Sequence, residues 1–189
     1  MVSFFLSPVG GSGGDSVMPQ CVRALIGFTM LLPAGLLASA QWAPQTLRPP
    51  ASEQVLSQVH ATGEQIYTCK ADGTQFAWTL KGVVAQLTDK DGKAFGKHYS
   101  GPTWEANDGS RVTGKAVSNY PSPDKDAIPW LLVSVASHGG GEGVLTKVTS
   151  IQRLNTQGGK APVGGCGKAS VDREVRVPYT ADYVFFAPK

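Results

Sequence analysis

The chain has 189 residues, 41% of them hydrophobic and 16% charged, with a net charge of +3. The basic residues are scattered, with no run or stripe, which excludes the electrostatic footprint of a nucleic-acid-binding protein. Frequent glycine and proline and the lack of long apolar helical periods exclude a helical bundle and point to strands and tight turns.

The first informative stretch is Met18 to Ala40. Arg23 supplies a positive start, Ala24 to Leu37 an apolar run, and Ala38-Ser39-Ala40 a small-x-small pattern. Together these predict a secretory signal peptide cleaved before Gln41. The apolar run, broken by Pro33, is shorter than the ~20 residues a membrane span needs, so no span is expected after cleavage. Residues 1–17 then form a dispensable extension, with the true start at Met18. Gly10-Gly11-Ser12-Gly13-Gly14 matches the hydrolase elbow G-x-S-x-G, but it reads as a flexible tract because the elbow requires a strand before it and a helix after it. The expected location is secreted or periplasmic.

Residues 41–51, with Pro44, Pro49 and Pro50, read as a linker or extended arm. Residues 52–189 then form a single β-rich domain. Ser52 to His60 suits a helical turn or a strand equally. Gln65 to Cys69 and Phe76 to Leu80 predict a hairpin around the turn Asp72-Gly73. Strands follow at Val83–Leu87, Ala94–Tyr99, Thr103–Ala106 and Arg111–Val117, separated by turns at Asp91-Gly92 and Asn107-Asp108-Gly109. Trp130–Ala136 is a strong strand with Trp130 expected in the core. Val144–Leu154 is expected to be the longest strand. A Gly/Pro loop from Thr156 to Gly167 precedes strands at Glu174–Val177 and Ala181–Phe186. Short, regularly spaced strands predict a mostly β fold, an antiparallel sandwich or barrel.

Cleavage removes Cys21 and leaves Cys69 and Cys166. In an oxidising compartment this even pair is most simply one disulfide, closing the barrel or sandwich. The rival reading, a metal pair, lacks further ligands at short spacing. No metal site or cofactor is expected.

Most motif matches reduce to turns and strands. Gly109 to Ala116 resembles a phosphate-binding loop, but Ala116 replaces the magnesium-binding hydroxyl and the segment alternates like a strand. Asp89-Lys90-Asp91-Gly92 resembles part of a calcium loop whose first ligand position holds Leu87. A triad of His98, Asp108 and Ser110 can be drawn without any spacing that supports it. The densest cluster is His98-Tyr99-Ser100-Gly101-Pro102-Thr103-Trp104-Glu105. Here Trp104 offers a stacking surface, while His98, Tyr99 and Glu105 offer hydrogen bonds, in the kind of loop where β scaffolds build sites. The plainer alternative buries Trp104 and pairs Glu105 with a nearby cation.

The run Thr62-Gly63-Glu64-Gln65-Ile66-Tyr67-Thr68-Cys69 resembles the opening of a family of exported bacterial and fungal proteins, the domain-of-unknown-function family DUF3455. The segments HYSGPTWEANDGSRVTGK, IPWLL, IQRLNTQGGKAPVGGC and VPYTADYVFF resemble the rest of its pattern. The resemblance spans Glu53 to Phe186. It implies export, a single domain and pairing of Cys69 with Cys166, and it brings no catalytic residues.

These readings converge on an exported, non-enzymatic binding or envelope-associated domain. Its candidate ligand contacts are His98, Tyr99, Trp104 and Glu105, and its candidate partner is a carbohydrate or a small amphipathic ligand. The alternatives are a hydrolase using His98 with Glu105 as acid and base, and a structural or protein-interaction domain.

Overall fold

A computed structural model describes residues 43–189. The expectations for the Gly10–Gly14 tract, the signal peptide and Cys21 lie outside the described residues. The strands are β1 (Glu53–Asp72), β2 (Gln75–Thr88), β3 (Ala94–Tyr99), β4 (Thr103–Ala106), β5 (Arg111–Tyr120), β6 (Trp130–Gly139), β7 (Ser150–Gly158) and β8 (Glu174–Pro188). Each pairs antiparallel with the next, and β8 returns to β1, which closes the sheet into a barrel. Of the two expected β architectures, the barrel is the one formed.

Period-two alternation decides what fills it. On β2, Val83, Ala85 and Leu87 are buried, whereas Val84 is 38% exposed. The same alternation sends Val59 and Ala61 of β1, and Tyr179, Ala181, Tyr183 and Phe185 of β8, into one core with Trp104, Val112, Val133 and Ile151. Strands approach most closely where side chains are missing. A Cβ on Gly63 would lie 2.1 Å from the Val84 carbonyl oxygen, and one on Gly96 would lie 2.1 Å from that of Glu105.

Several strand boundaries differ from the sequence reading. The segments Phe76–Leu80 and Val83–Leu87 belong to one continuous strand, and so do Glu174–Val177 and Ala181–Phe186. Ser52 to His60 resolves as strand from Glu53 onward. The expected long strand Val144–Leu154 begins only at Ser150. Residues 144–148 are folded into turns because their backbone donors are taken locally. The Val144 N–H donates to Asp108 Oδ2 at 2.7 Å and the Leu145 N–H to Ser110 Oγ at 3.1 Å. The Thr146 and Val148 N–H groups bond the carbonyls of Gly143 and Leu145. Leu145 and Val148 are thereby driven, fully buried, into one end of the barrel.

The other end is closed by the connections β5–β6 and β7–β8. Ala127 bridges Gly159, and the Ile128 N–H bonds the Gly158 carbonyl. Cys69 at the end of β1 is joined by a disulfide to Cys166 in the β7–β8 connection, across 97 residues of chain.

The described part of the expected linker, residues 43–51, is packed against the barrel. A 3-10 turn at Gln45–Leu47 inserts Leu47, fully buried, beside Ala43, Leu154, Val184 and Phe186. Trp130 and Leu132 flank this second, outer core, so Trp130 is half-buried beneath the arm and not in the barrel. Gln152 Nε2 donates to the Leu47 carbonyl at 2.6 Å.

Candidate functional site

The cluster from His98 to Glu105 straddles a hairpin, and register divides it. His98 pairs with Trp104, Lys97 with Glu105 and Tyr99 with Thr103 across β3 and β4. Because neighbouring residues face opposite sides of a strand, His98 and Trp104 point into the barrel while Tyr99 and Glu105 point out. The four residues do not form one site.

Inside, the His98 ring lies 4.4 Å from the Trp104 ring at an interplanar angle of 13°, and both meet Tyr183 edge-on. Trp104 is 2% exposed, so it offers no stacking face to a ligand. The His98 Nδ1–H donates to the Thr103 carbonyl at 2.8 Å. Burial lowers its pKa to about 4, against the opposing pull of that hydrogen bond, so the ring is neutral. The imidazole and the Glu105 carboxylate are on opposite faces of the sheet and do not converge as an acid–base pair. The outer-barrel position of Glu105 is the physical reason.

Outside, Tyr99 and Glu105 are brought together. The Tyr99 hydroxyl donates to Glu105 Oε2 at 2.7 Å. Lys97 Nζ lies 3.1 Å from Glu105 Oε1 and 5.7 Å from the Tyr99 ring centroid. Arg111, opposite Glu105 on β5, completes the surround. The hydrogen bond from Tyr99 and then that from Lys97 hold the Glu105 carboxyl below the usual carboxylate range. The bond to Glu105 correspondingly raises the Tyr99 phenol.

The next rung of the same face runs Tyr99, Thr103, Thr113, Ser137 across β3, β4, β5 and β6. Thr113 Oγ1 and Ser137 Oγ are 2.6 Å apart. Gly139 leaves room for Arg111 to lie across β6, since a Cβ there would come within 2.9 Å of the guanidinium Nε. A depression of about 270 Å³ bounded by Tyr99, Arg111, Thr113 and Ser137 lies on one side. A second of about 210 Å³ bounded by Lys97, Glu105 and Asn107 lies on the other. Chemically this is a solvent-facing array of one phenol, one carboxylate, two cations and two hydroxyls, anchored on strands.

Lys97, Arg111, Thr113 and Ser137 are absent from the candidates drawn from sequence. Alternation from Tyr99 points to Lys97, but Arg111 and Ser137 join the array only through the pairing register, which sequence does not supply.

The other motifs are structural. Asp108 accepts from the Ser110 hydroxyl at 2.6 Å and from two backbone N–H groups, which together lower its pKa and clamp the β6–β7 connection. The His138 Nε2–H bonds the Val148 carbonyl in the same connection. Asp89 Oδ1 accepts from the backbone of Asp91 and Lys93, making a plain turn of the calcium-like sequence. The phosphate-loop-like segment is strand β5. Among the described residues, no group of three or more His, Cys, Asp or Glu side chains is placed to hold a metal ion, and no helix is long and apolar enough to cross a membrane.

A family model described as a protein of unknown function, DUF3455, matches residues 50–187. No curated protein and no solved structure matches the chain.

Proposed function

The chain belongs to the DUF3455 family of proteins of unknown function, and from that premise we propose that it is an exported, non-enzymatic binding domain whose outer β3–β6 face takes a polyhydroxylated, carbohydrate-like ligand. The observation that carries the reading is the Tyr99–Glu105–Lys97 constellation, held by hydrogen bonds beside two depressions. Donors and acceptors fixed on rigid strands suit a ligand that offers many hydroxyls, because little ordering is left to occur on binding.

Export rests on the signal-peptide pattern of Met18 to Ala40 and on the disulfide, a bond that persists in oxidising compartments. Fractionation of cells expressing the full chain tests it. Recovery from the periplasm or medium, with a new N-terminus at Gln41, supports export; recovery of an uncleaved cytoplasmic chain refutes it.

Binding is tested on a glycan array with the native protein, Glu105→Gln and Thr113→Val. Glycans retained by the native protein and lost at least tenfold with Glu105→Gln support the site. Identical responses from all three proteins remove this face from recognition.

A further inference from the structure

The barrel is closed along only part of β1. Strand β1 pairs with β8 from Glu53 onward, but its pairing with β2 starts at His60, opposite Thr88. Residues 53–59 therefore present one edge that no strand covers among the described residues. At the ~3.4 Å rise of a strand, this edge is roughly 20 Å long.

The open edge lines a groove of about 630 Å³, bounded on the far side by the β2–β3 turn at Asp89, Lys90 and Asp91. A register shift between Val55 and Ser57 leaves Leu56 as an extra residue facing β8. Val55 and Leu56 are 40% and 43% exposed in consequence. Apart from the bulge at Leu56 and the charge of Glu53 at its start, the overhang has little protection as an edge: from Gln54 to Val59 it carries no lysine and no proline.

Charge selects the occupant. Three aspartates, Asp89, Asp91 and Asp182, line the groove against a single lysine, Lys90, on a chain whose net charge is +3. Lys90 is itself bound to Asp91 at 2.8 Å. Asp182 is held in place by His60 at 2.8 Å and by Asn155 Nδ2 at 2.8 Å. A second copy would bring the same acidic rim against itself, which disfavours edge-to-edge self-pairing.

We propose that the β1 overhang is a strand-addition site for an extended segment of another polypeptide in which cationic and apolar residues alternate. Backbone bonds to residues 53–59 supply the pairing, Val55 and Leu56 take the apolar side chains, and the aspartates meet the cations. The site lies apart from the β3–β6 face and stands or falls separately from it.

The test uses amide-resolved NMR titration of the full chain with a capped heptapeptide of alternating lysine and valine. The comparisons are its glutamate–valine counterpart and the lysine–valine peptide N-methylated at alternate residues. The expected result is saturable shifts at residues 54–60 and 89–91, weakened at least tenfold for the acidic peptide and abolished by N-methylation. Leu56→Lys, an exposed substitution that leaves the core intact, is expected to weaken the lysine–valine peptide at least tenfold. Equal binding of the acidic or the N-methylated peptide, shifts confined to other surfaces, or concentration-dependent dimerisation through residues 54–59 overturns the proposal.

Discussion

The imidazole of His98 is sandwiched flat against the indole of Trp104, 4.4 Å between ring centres, with its one donated hydrogen bond ending on the Thr103 carbonyl. Burial is the larger influence on its pKa, which falls to about 4 from an ordinary 6.5. The unfolded chain therefore takes up a proton at this position before the folded chain does. Stability from this group is complete above pH 6.5 and is lost as pH falls toward 4, at up to one proton per molecule. Over that window the loss is on the order of 3 kcal/mol. Urea unfolding between pH 7 and pH 4 is expected to show this acid destabilisation, with a shallower slope in His98→Gln.

Gly114 makes room for the same indole. A Cβ there would lie 2.4 Å from Val133 Cγ1 and 3.3 Å from Trp104 Cζ3. Gly114→Ala is expected to destabilise the barrel by ~1–3 kcal/mol through overpacking. Near-ultraviolet circular dichroism, which reports the Trp104 environment, is expected to change alongside the unfolding midpoint. An unchanged spectrum and midpoint would show that the barrel relaxes around the methyl group.

How much of this was legible in the sequence follows from which interactions are local. The hairpin turns at Asp72-Gly73, Asp91-Gly92 and Asn107-Asp108-Gly109 announce themselves, because Gly73, Gly92 and Gly109 adopt positive φ that few other residues tolerate. Strands β3 and β4 were readable to the residue. The Val144–Leu154 segment was not, since its β-rich composition is overridden by the Asp108 and Ser110 side chains, which lie far away in the chain. The candidate site was half legible. Composition drew attention to residues 98–105, but the face each one takes depends on register, which separated His98 and Trp104 from Tyr99 and Glu105 and added Arg111 and Ser137 from strands further on.

The disulfide ties the end of β1 to the long connection before β8. Reduction, or the pair Cys69→Ser and Cys166→Ser, is expected to lower stability by ~2–5 kcal/mol, mainly by freeing the unfolded chain. Thermal unfolding with and without reductant measures it. Trp78 Nε1 donates to the Gly164 carbonyl in the same connection, so local protease sensitivity around residues 160–167 is expected to rise before global unfolding.

The N-terminal arm is anchored chiefly through Leu47, with Ala43 buried beside it. Leu47 is fully buried against Leu154, Val184 and Phe186, and its carbonyl accepts from Gln152. Leu47→Ala is expected to cost ~2–5 kcal/mol and to expose the arm to proteolysis. Gln152→Met is expected to cost less. It removes the bond to Leu47, but it also removes Gln152 Oε1, a buried acceptor with no partner among the described residues. A Gln152→Met loss equal to that of Leu47→Ala would assign the arm's attachment to the hydrogen bond over the leucine.

The outer constellation yields a prediction about charge that does not wait on a ligand. The hydrogen bond from the Tyr99 hydroxyl is the largest single cause of the lowered Glu105 pKa, and Lys97 adds a hydrogen bond and its charge. Tyr99→Phe and Lys97→Met are each expected to move Glu105 upward toward ordinary carboxylate values. Carboxyl-carbon NMR titration of the two variants measures both shifts. In Tyr99→Phe the carboxylate also loses the hydroxyl that fixes its orientation, so binding of any glycan retained by the native protein is expected to weaken severalfold at neutral pH. If Glu105 titrates identically in Tyr99→Phe and the native protein, the hydroxyl does not organise the carboxylate, and recognition on this face has to rest on Arg111, Thr113 and Ser137.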